Sequence, residues 1–169
     1  IQSWAGRYSY AGESELIAGP VAAARRRGYL CKPEFLEIAR WKTPRSQPRC
    51  EKNEAAFVEE VTRLALEPRT SARLSIESLR LLSGVEFPTA SVILHFCHEK
   101  PHPILDFRAL WSLSCDVPNS YDYPFWAAYA DFTRSLCGRV GCDSRTLDRA
   151  LWQYSKKHQN AAKQPREVA

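Results

Sequence analysis

Leu79-Arg80-Leu81-Leu82-Ser83-Gly84-Val85-Glu86-Phe87-Pro88-Thr89-Ala90-Ser91-Val92-Ile93-Leu94 is the stretch whose reading decides the fold. Its leucine-rich start predicts a helix, Gly84 a tight turn, and the apolar run beyond it a second helix that begins at once. A turn of this kind aims backbone N–H groups and a helix N-terminus outward, where they suit an anion such as a phosphate. Pro103-Ile104-Leu105-Asp106 follows, with Asp106 placed 22 positions after Gly84, room for one helix and a short return. A carboxylate is thus expected near the end of the hairpin that grips the anion.

Upstream, residues 1–12 are aromatic (Trp4, Tyr8, Tyr10) and without a period, and read as an irregular arm. Glu13 to Arg27 reads as a helix interrupted near Gly19-Pro20, its last turn carrying Arg25-Arg26-Arg27 to suit the helix dipole. Pro33 sits well in the first turn of a helix reaching about Trp41. The prolines and charges of Lys42 to Cys50 predict an exposed loop. Asn53 to Leu66 places Phe57, Val61 and Leu64 at i, i+4 and i+7, an amphipathic helix.

The hairpin spans about 75–99, and a short helix is expected from Asp106 through about Leu113. Phe125, Tyr129, Phe132 and Leu136 form a stripe predicting a helix over about Pro124 to Cys137. Ser144 is placed to cap a last helix whose inner face holds Leu147, Leu151 and Tyr154. No alternating strand pattern of useful length is visible. The expectation is an all-α chain: an arm over 1–12, one helical domain over 13–157, and a polar tail over 158–169.

At 169 residues, 44% hydrophobic and with five tryptophans, the chain has the material for a buried core, as one domain or two small lobes. Its formal charge of +5 is compatible with a polyanionic partner but does not demand one. The lack of any methionine is expected of a segment from a longer reading frame. No apolar run suits a membrane span or signal peptide. The six cysteines, Cys31, Cys50, Cys97, Cys115, Cys137 and Cys142, form no tight framework and read as reduced thiols of a cytoplasmic protein, nucleoid-associated if bacterial.

The hairpin and its downstream aspartate resemble the helix-hairpin-helix DNA glycosylase superfamily, the group that contains endonuclease III, over about residues 30–115. That pattern runs Leu-Pro-Gly-Val-Gly, two variable residues, Thr-Ala, an apolar helix and an aspartate; Gly84, Val85, Thr89, Ala90 and Asp106 match it. The resemblance implies a compact two-lobed helical fold, DNA as partner with no obligate protein partner, and Asp106 as the carboxylate that stabilises a positively charged sugar. It also implies phosphate contacts at Gly84, Val85 and Thr89. Pro88 stands where bifunctional members carry a lysine, so the implied chemistry is release of the base by water, without a lysine adduct.

Three departures keep a second reading open, a non-catalytic module that binds DNA or recognises a modified base. Glu86 replaces the second glycine, Arg108 stands where a histidine often follows the aspartate, and Trp111 lies near the usual place of an arginine. Asp106 also reads as a plain helix cap, and Gly84 as the turn of an ordinary hairpin. A third reading is a helical scaffold that binds protein.

Lys42 and Arg45 are candidates for flanking phosphates, and Trp41 for a stacking or wedge residue beside them. Trp111, Trp126 and Tyr129 are candidates for a base-binding cleft, with core packing as the plainer alternative. His95, His98 and His102 with Cys97 invite a zinc reading, but no paired second motif completes it, and Cys137 and Cys142 lack the partners of an iron–sulphur set. No metal and no cofactor are expected.

Overall fold

The computed structural model describes residues 1–100 and 102–159. Among them there are helices and no strands, as the periodicity requires. The described residues divide into two compact units: Ala11–His102, and Ile1–Tyr10 together with residues 103–159. The N-terminal stretch expected as an arm contains one helical turn, α1 (Gln2–Ala5), and belongs with the C-terminal helices. Residues from 160 on, most of the expected tail, lie outside the described residues.

The 11–102 unit opens on α2 (Glu13–Leu16), a π-helical segment Ile17–Val21, and α3 (Ala22–Arg27). The interruption read at Gly19-Pro20 is this π segment, a register that accommodates a proline with no N–H to give. Gly28 ends α3 at φ +84°, a left-handed cap. Next, α4 (Lys32–Lys42) is capped by Glu34, whose carboxylate accepts the Cys31 N–H at 2.9 Å.

The expected loop of 42–50 is instead ordered into a 3-10 turn, Pro44–Ser46, and a short helix, α5 (Gln47–Cys50). Pro44 and Pro48 each stand in a first turn, where a missing N–H is harmless and the fixed φ helps. They start helices here.

The unit continues with α6 (Ala55–Leu66), α7 (Ala72–Leu79) and α8 (Phe87–Cys97). Ten of the eleven residues of α8 are buried, with α3, α4, α6 and α7 packed against it. Val92, Ile93 and Leu94 are sealed from solvent, each side chain stabilising by about 1.5–3 kcal/mol relative to exposure.

In α6 the inward face differs from the expected one. Val58, Val61, Thr62 and Ala65 are buried while Phe57 and Leu64 reach solvent. Thr62 can be buried because its hydroxyl donates to the Val58 carbonyl at 2.7 Å and accepts the Leu30 N–H at 3.0 Å.

The other unit holds α1, α9 (Phe107–Ser112), α10 (Tyr123–Val140) and α11 (Ser144–His158). Both α1 and α9 pack on α11, and Ser112 donates to the Leu151 carbonyl at 2.6 Å. The buried arc of α10 is Trp126, Tyr129, Ala130 and Thr133, one step off the expected stripe; Phe132 faces solvent. Thr133 again hides its hydroxyl, donating to the Tyr129 carbonyl at 2.8 Å. The last helix is capped by Asp143, not Ser144, and Tyr154 of its expected inner face is exposed.

Candidate functional site

The hairpin of the 11–102 unit is closed by residues 80–86. Arg80, Leu81 and Leu82 donate to the carbonyls three residues back, tightening the exit from α7, and Gly84 follows at φ +82°. That conformation is strained for a side chain, and a second constraint acts at the same position. A Cβ on Gly84 would lie 2.8 Å from Cys50 Sγ and 3.0 Å from the Cys50 nitrogen, so the turn is pressed against α5. Glycine is required there by conformation and by space.

Asn53 holds the turn from below, accepting the Ser83 N–H at 2.8 Å and donating to the Ser83 carbonyl at 3.0 Å. Its side-chain nitrogen also donates to the Cys50 carbonyl at 2.9 Å. Arg80 spans the hairpin from above. Its guanidinium donates to Glu77 at 2.7 Å, stands 3.6 Å from the Glu86 carboxylate, and lies 4.4 Å from the Phe87 ring centre. Glu86, the acid that breaks the glycine pattern, therefore has a cation beside it.

Neither Asn53 nor Arg80 is among the residues expected from sequence. Asn53 carries no local signal, since Ser83 is 30 positions away. For Arg80 the sequence does carry a signal, the i, i+3 spacing from Glu77.

Val85 does not offer its amide outward: the side chain is buried and the N–H donates to Leu82 at 3.1 Å. Amides at Gly84, Glu86, Phe87 and Thr89 have no acceptor among the described residues. Of these four residues, Gly84 and Glu86 reach solvent while Phe87 and Thr89 are buried. The Thr89 hydroxyl lies 3.4 Å from that of Thr43, which brings the segment bearing Lys42 and Arg45 to the first turn of α8. Lys42 is half-buried and Arg45 exposed. Trp41 is anchored, its indole N–H donating to Ala11 at 3.2 Å and its ring set edge-on to Phe96 at 5.7 Å.

In the other unit, Asp106 is 7% exposed and is the N-cap of α9. Its Oδ1 accepts the Arg108 N–H at 2.8 Å, and its carbonyl accepts from Leu110 at 3.0 Å. The cap reading of Asp106 is thus realised in the geometry.

Trp126 is 1% exposed and belongs to the core. Tyr129 is buried as well, its hydroxyl donating to the Ile104 carbonyl at 2.9 Å. Burial pushes that phenol well above its ordinary pKa, with the charges of Asp148 and Asp106 adding to the effect. The cavity that Tyr129 lines with Thr133, Leu147 and Asp148 holds about 10 Å³, space for one water and too small for a nucleobase. Trp111 is half-buried, its ring centre 6.2 Å from that of Tyr154, and of the three aromatic cleft candidates it is the one not sealed in the core.

The histidines serve the hairpin's exit. His95 Nδ1 pairs with the His102 carbonyl at 2.7 Å, and His98 Nδ1 with the Lys100 backbone at 3.0 Å. Among the described residues no group of three or more His, Cys, Asp or Glu side chains could hold a metal ion, and no helix is long and apolar enough to cross a membrane. No family model, curated protein or solved structure matches the chain.

Proposed function

We propose that this chain is a DNA glycosylase-like protein that hydrolyses the N-glycosidic bond of a damaged or modified base. The observation that carries the reading is Gly84: at φ +82° it closes α7 onto α8 with the Gly84 and Glu86 amides free for an anion, in a chain whose next helix opens on Asp106. Unbonded amides ahead of a helix N-terminus suit an anion such as one phosphate. Lys42 and Arg45, carried beside the first turn of α8, add cations for its neighbours.

In this reading the departing base leaves positive charge on the sugar, and the Asp106 carboxylate stabilises it electrostatically and orients water. Water adds hydroxide to the anomeric carbon, and the base leaves with the proton. Pro88, at the second position of α8, offers no nucleophile, so the strand stays intact.

Duplexes carrying single deaminated, alkylated, oxidised or methylated bases, incubated with the protein and then treated with alkali, report base release as strand cleavage. The expected result is cleavage at one class of base, dependent on alkali and lost in Asp106→Asn. Cleavage before alkali would overturn the water-only chemistry.

One observation favours the second reading, a non-catalytic module. Asp106 is almost fully buried, with one carboxylate oxygen committed to the Arg108 amide. Duplex binding that weakens with salt, lost in Gly84→Ala and without base release across the panel, is the outcome expected of it.

A further inference from the structure

The N-terminal stretch and the last three turns of α11, which pack together, contain no acidic residue: Ile1–Tyr10 and residues 149–159 hold Arg7, Arg149, Lys156 and Lys157 with no Asp or Glu. Into that positive surface are set five aromatic side chains, Trp4, Tyr8, Tyr10, Trp152 and Tyr154. Chance packing of an arm does not require either property. Packing needs apolar bulk, which aliphatic residues supply without a concentration of cations.

The rings and cations are arranged in pairs. On α11, Trp152 and Lys156 stand at i and i+4 with Nζ 4.9 Å from the ring centre. Tyr154 and His158 repeat the spacing at 4.6 Å between ring centres. Trp4 of α1 meets both Tyr154 and His158 edge-on at 5.3 Å, and the Arg7 guanidinium lies 4.9 Å from the Trp4 ring. Trp4, His158 and Trp111 thus hold the Tyr154 ring in place, and Tyr154 stays 38% exposed. A cation held over a ring keeps N–H groups at its rim for a phosphate oxygen.

We propose that this face binds an unpaired nucleic-acid strand, with phosphates on Lys156, Lys157 and Arg7 and a base stacked on Tyr154. Charge selects a polyanion, and the exposed Tyr154 ring among the charges selects one that carries flat apolar groups. Paired bases in a duplex present no open face to such a ring, which is why the partner is an unpaired strand. The inference goes beyond the glycosidic reading, since neither Asp106 nor Gly84 takes part.

Fluorescence anisotropy with a labelled oligothymidylate, and with a duplex of equal length, tests it over a range of salt concentrations. Tyr154→Leu keeps apolar bulk against Trp4 and removes the stacking face; it is expected to weaken single-strand binding roughly tenfold with little change in salt slope. The double variant Lys156→Gln, Lys157→Gln is expected to lower that slope by about 1.4, two phosphate contacts on a single strand. Replacing the exposed Lys52 and Arg69 of the other unit by glutamine lowers net charge equally and is expected to leave the slope unchanged.

Near-ultraviolet circular dichroism confirms that each variant keeps its fold, and Lys156→Arg with Lys157→Arg is expected to restore the slope. The proposal is overturned if Tyr154→Leu and the glutamine pair bind the single strand as the native chain does. It is equally overturned if they weaken duplex and single strand alike, or if the control pair lowers the slope as much.

Discussion

Asn53 grips both backbone polar groups of Ser83, accepting its N–H at 2.8 Å and donating to its carbonyl at 3.0 Å. The residue that precedes the hairpin glycine is thereby fixed from an element 30 positions earlier, where the turn's own sequence supplies no partner. Replacing Asn53 by alanine leaves a donor and an acceptor unmatched in a largely buried place. The expected loss is about 1–3 kcal/mol, read as a lower urea midpoint at unchanged slope.

Gly84→Ala meets two penalties at once, a positive φ and a Cβ 2.8 Å from Cys50 Sγ. The left-handed conformation alone costs about 1–2 kcal/mol, and the clash adds to it. Removing the sulfur with Cys50→Ala in the same chain is expected to recover only part of the loss, because the Cys50 nitrogen at 3.0 Å and Arg49 Cβ at 3.1 Å remain. A double-mutant cycle in urea measures the recovery; complete rescue would mean that the sulfur alone sets the constraint.

Much of this architecture was legible in the chain. The hairpin helices, the interruption at Gly19-Pro20 and the helix opening on Asp106 are where periodicity and punctuation put them. The inner faces of α6 and α10 were not, for one physical reason. Thr62 and Thr133 read as polar, yet each buries its hydroxyl by bonding a carbonyl of its own helix, which rotates the buried arc away from Phe57, Leu64 and Phe132. The Gly84 turn and the Asp106 helix cap, each in its own unit, were identifiable from sequence. The commitments of the Val85 amide and of Tyr129 depend on Leu82 and Ile104 carbonyls that no pattern reveals.

The cysteines should separate by reactivity. Burial pushes the Cys97 thiol up to about 12, with the Arg25 charge opposing it only in part, and burial raises Cys50 as well. Cys115 is exposed. Alkylation of the native chain at pH 8, followed by peptide mass mapping, is expected to label Cys115 readily and to spare Cys50 and Cys97 until denaturant is added. Early modification of Cys97 would contradict the packing around α8.

Asp143 caps α11 by accepting from the Thr146 amide and hydroxyl, each at 2.8 Å, and the amide bond chiefly holds its carboxyl below the usual 3.8. A carboxyl depressed in the folded state gives a contribution that is complete above its unfolded pKa and is lost as pH falls through its folded one. Asp143→Ala is expected to cost about 1 kcal/mol at neutral pH. Thermal denaturation of both chains from pH 7 downward should show that difference shrinking below about pH 4.

The central claim rests on the Asp106 charge, and Asp106→Asn isolates it, because asparagine caps a helix about as well and retains an oxygen for the Arg108 amide. Single-turnover base release on the duplex that the panel selects is the direct measurement. A rate lowered by about 10²–10³ with duplex affinity unchanged is the expected result. Release at the native rate by Asp106→Asn, or no release from any duplex by the native chain, would contradict it.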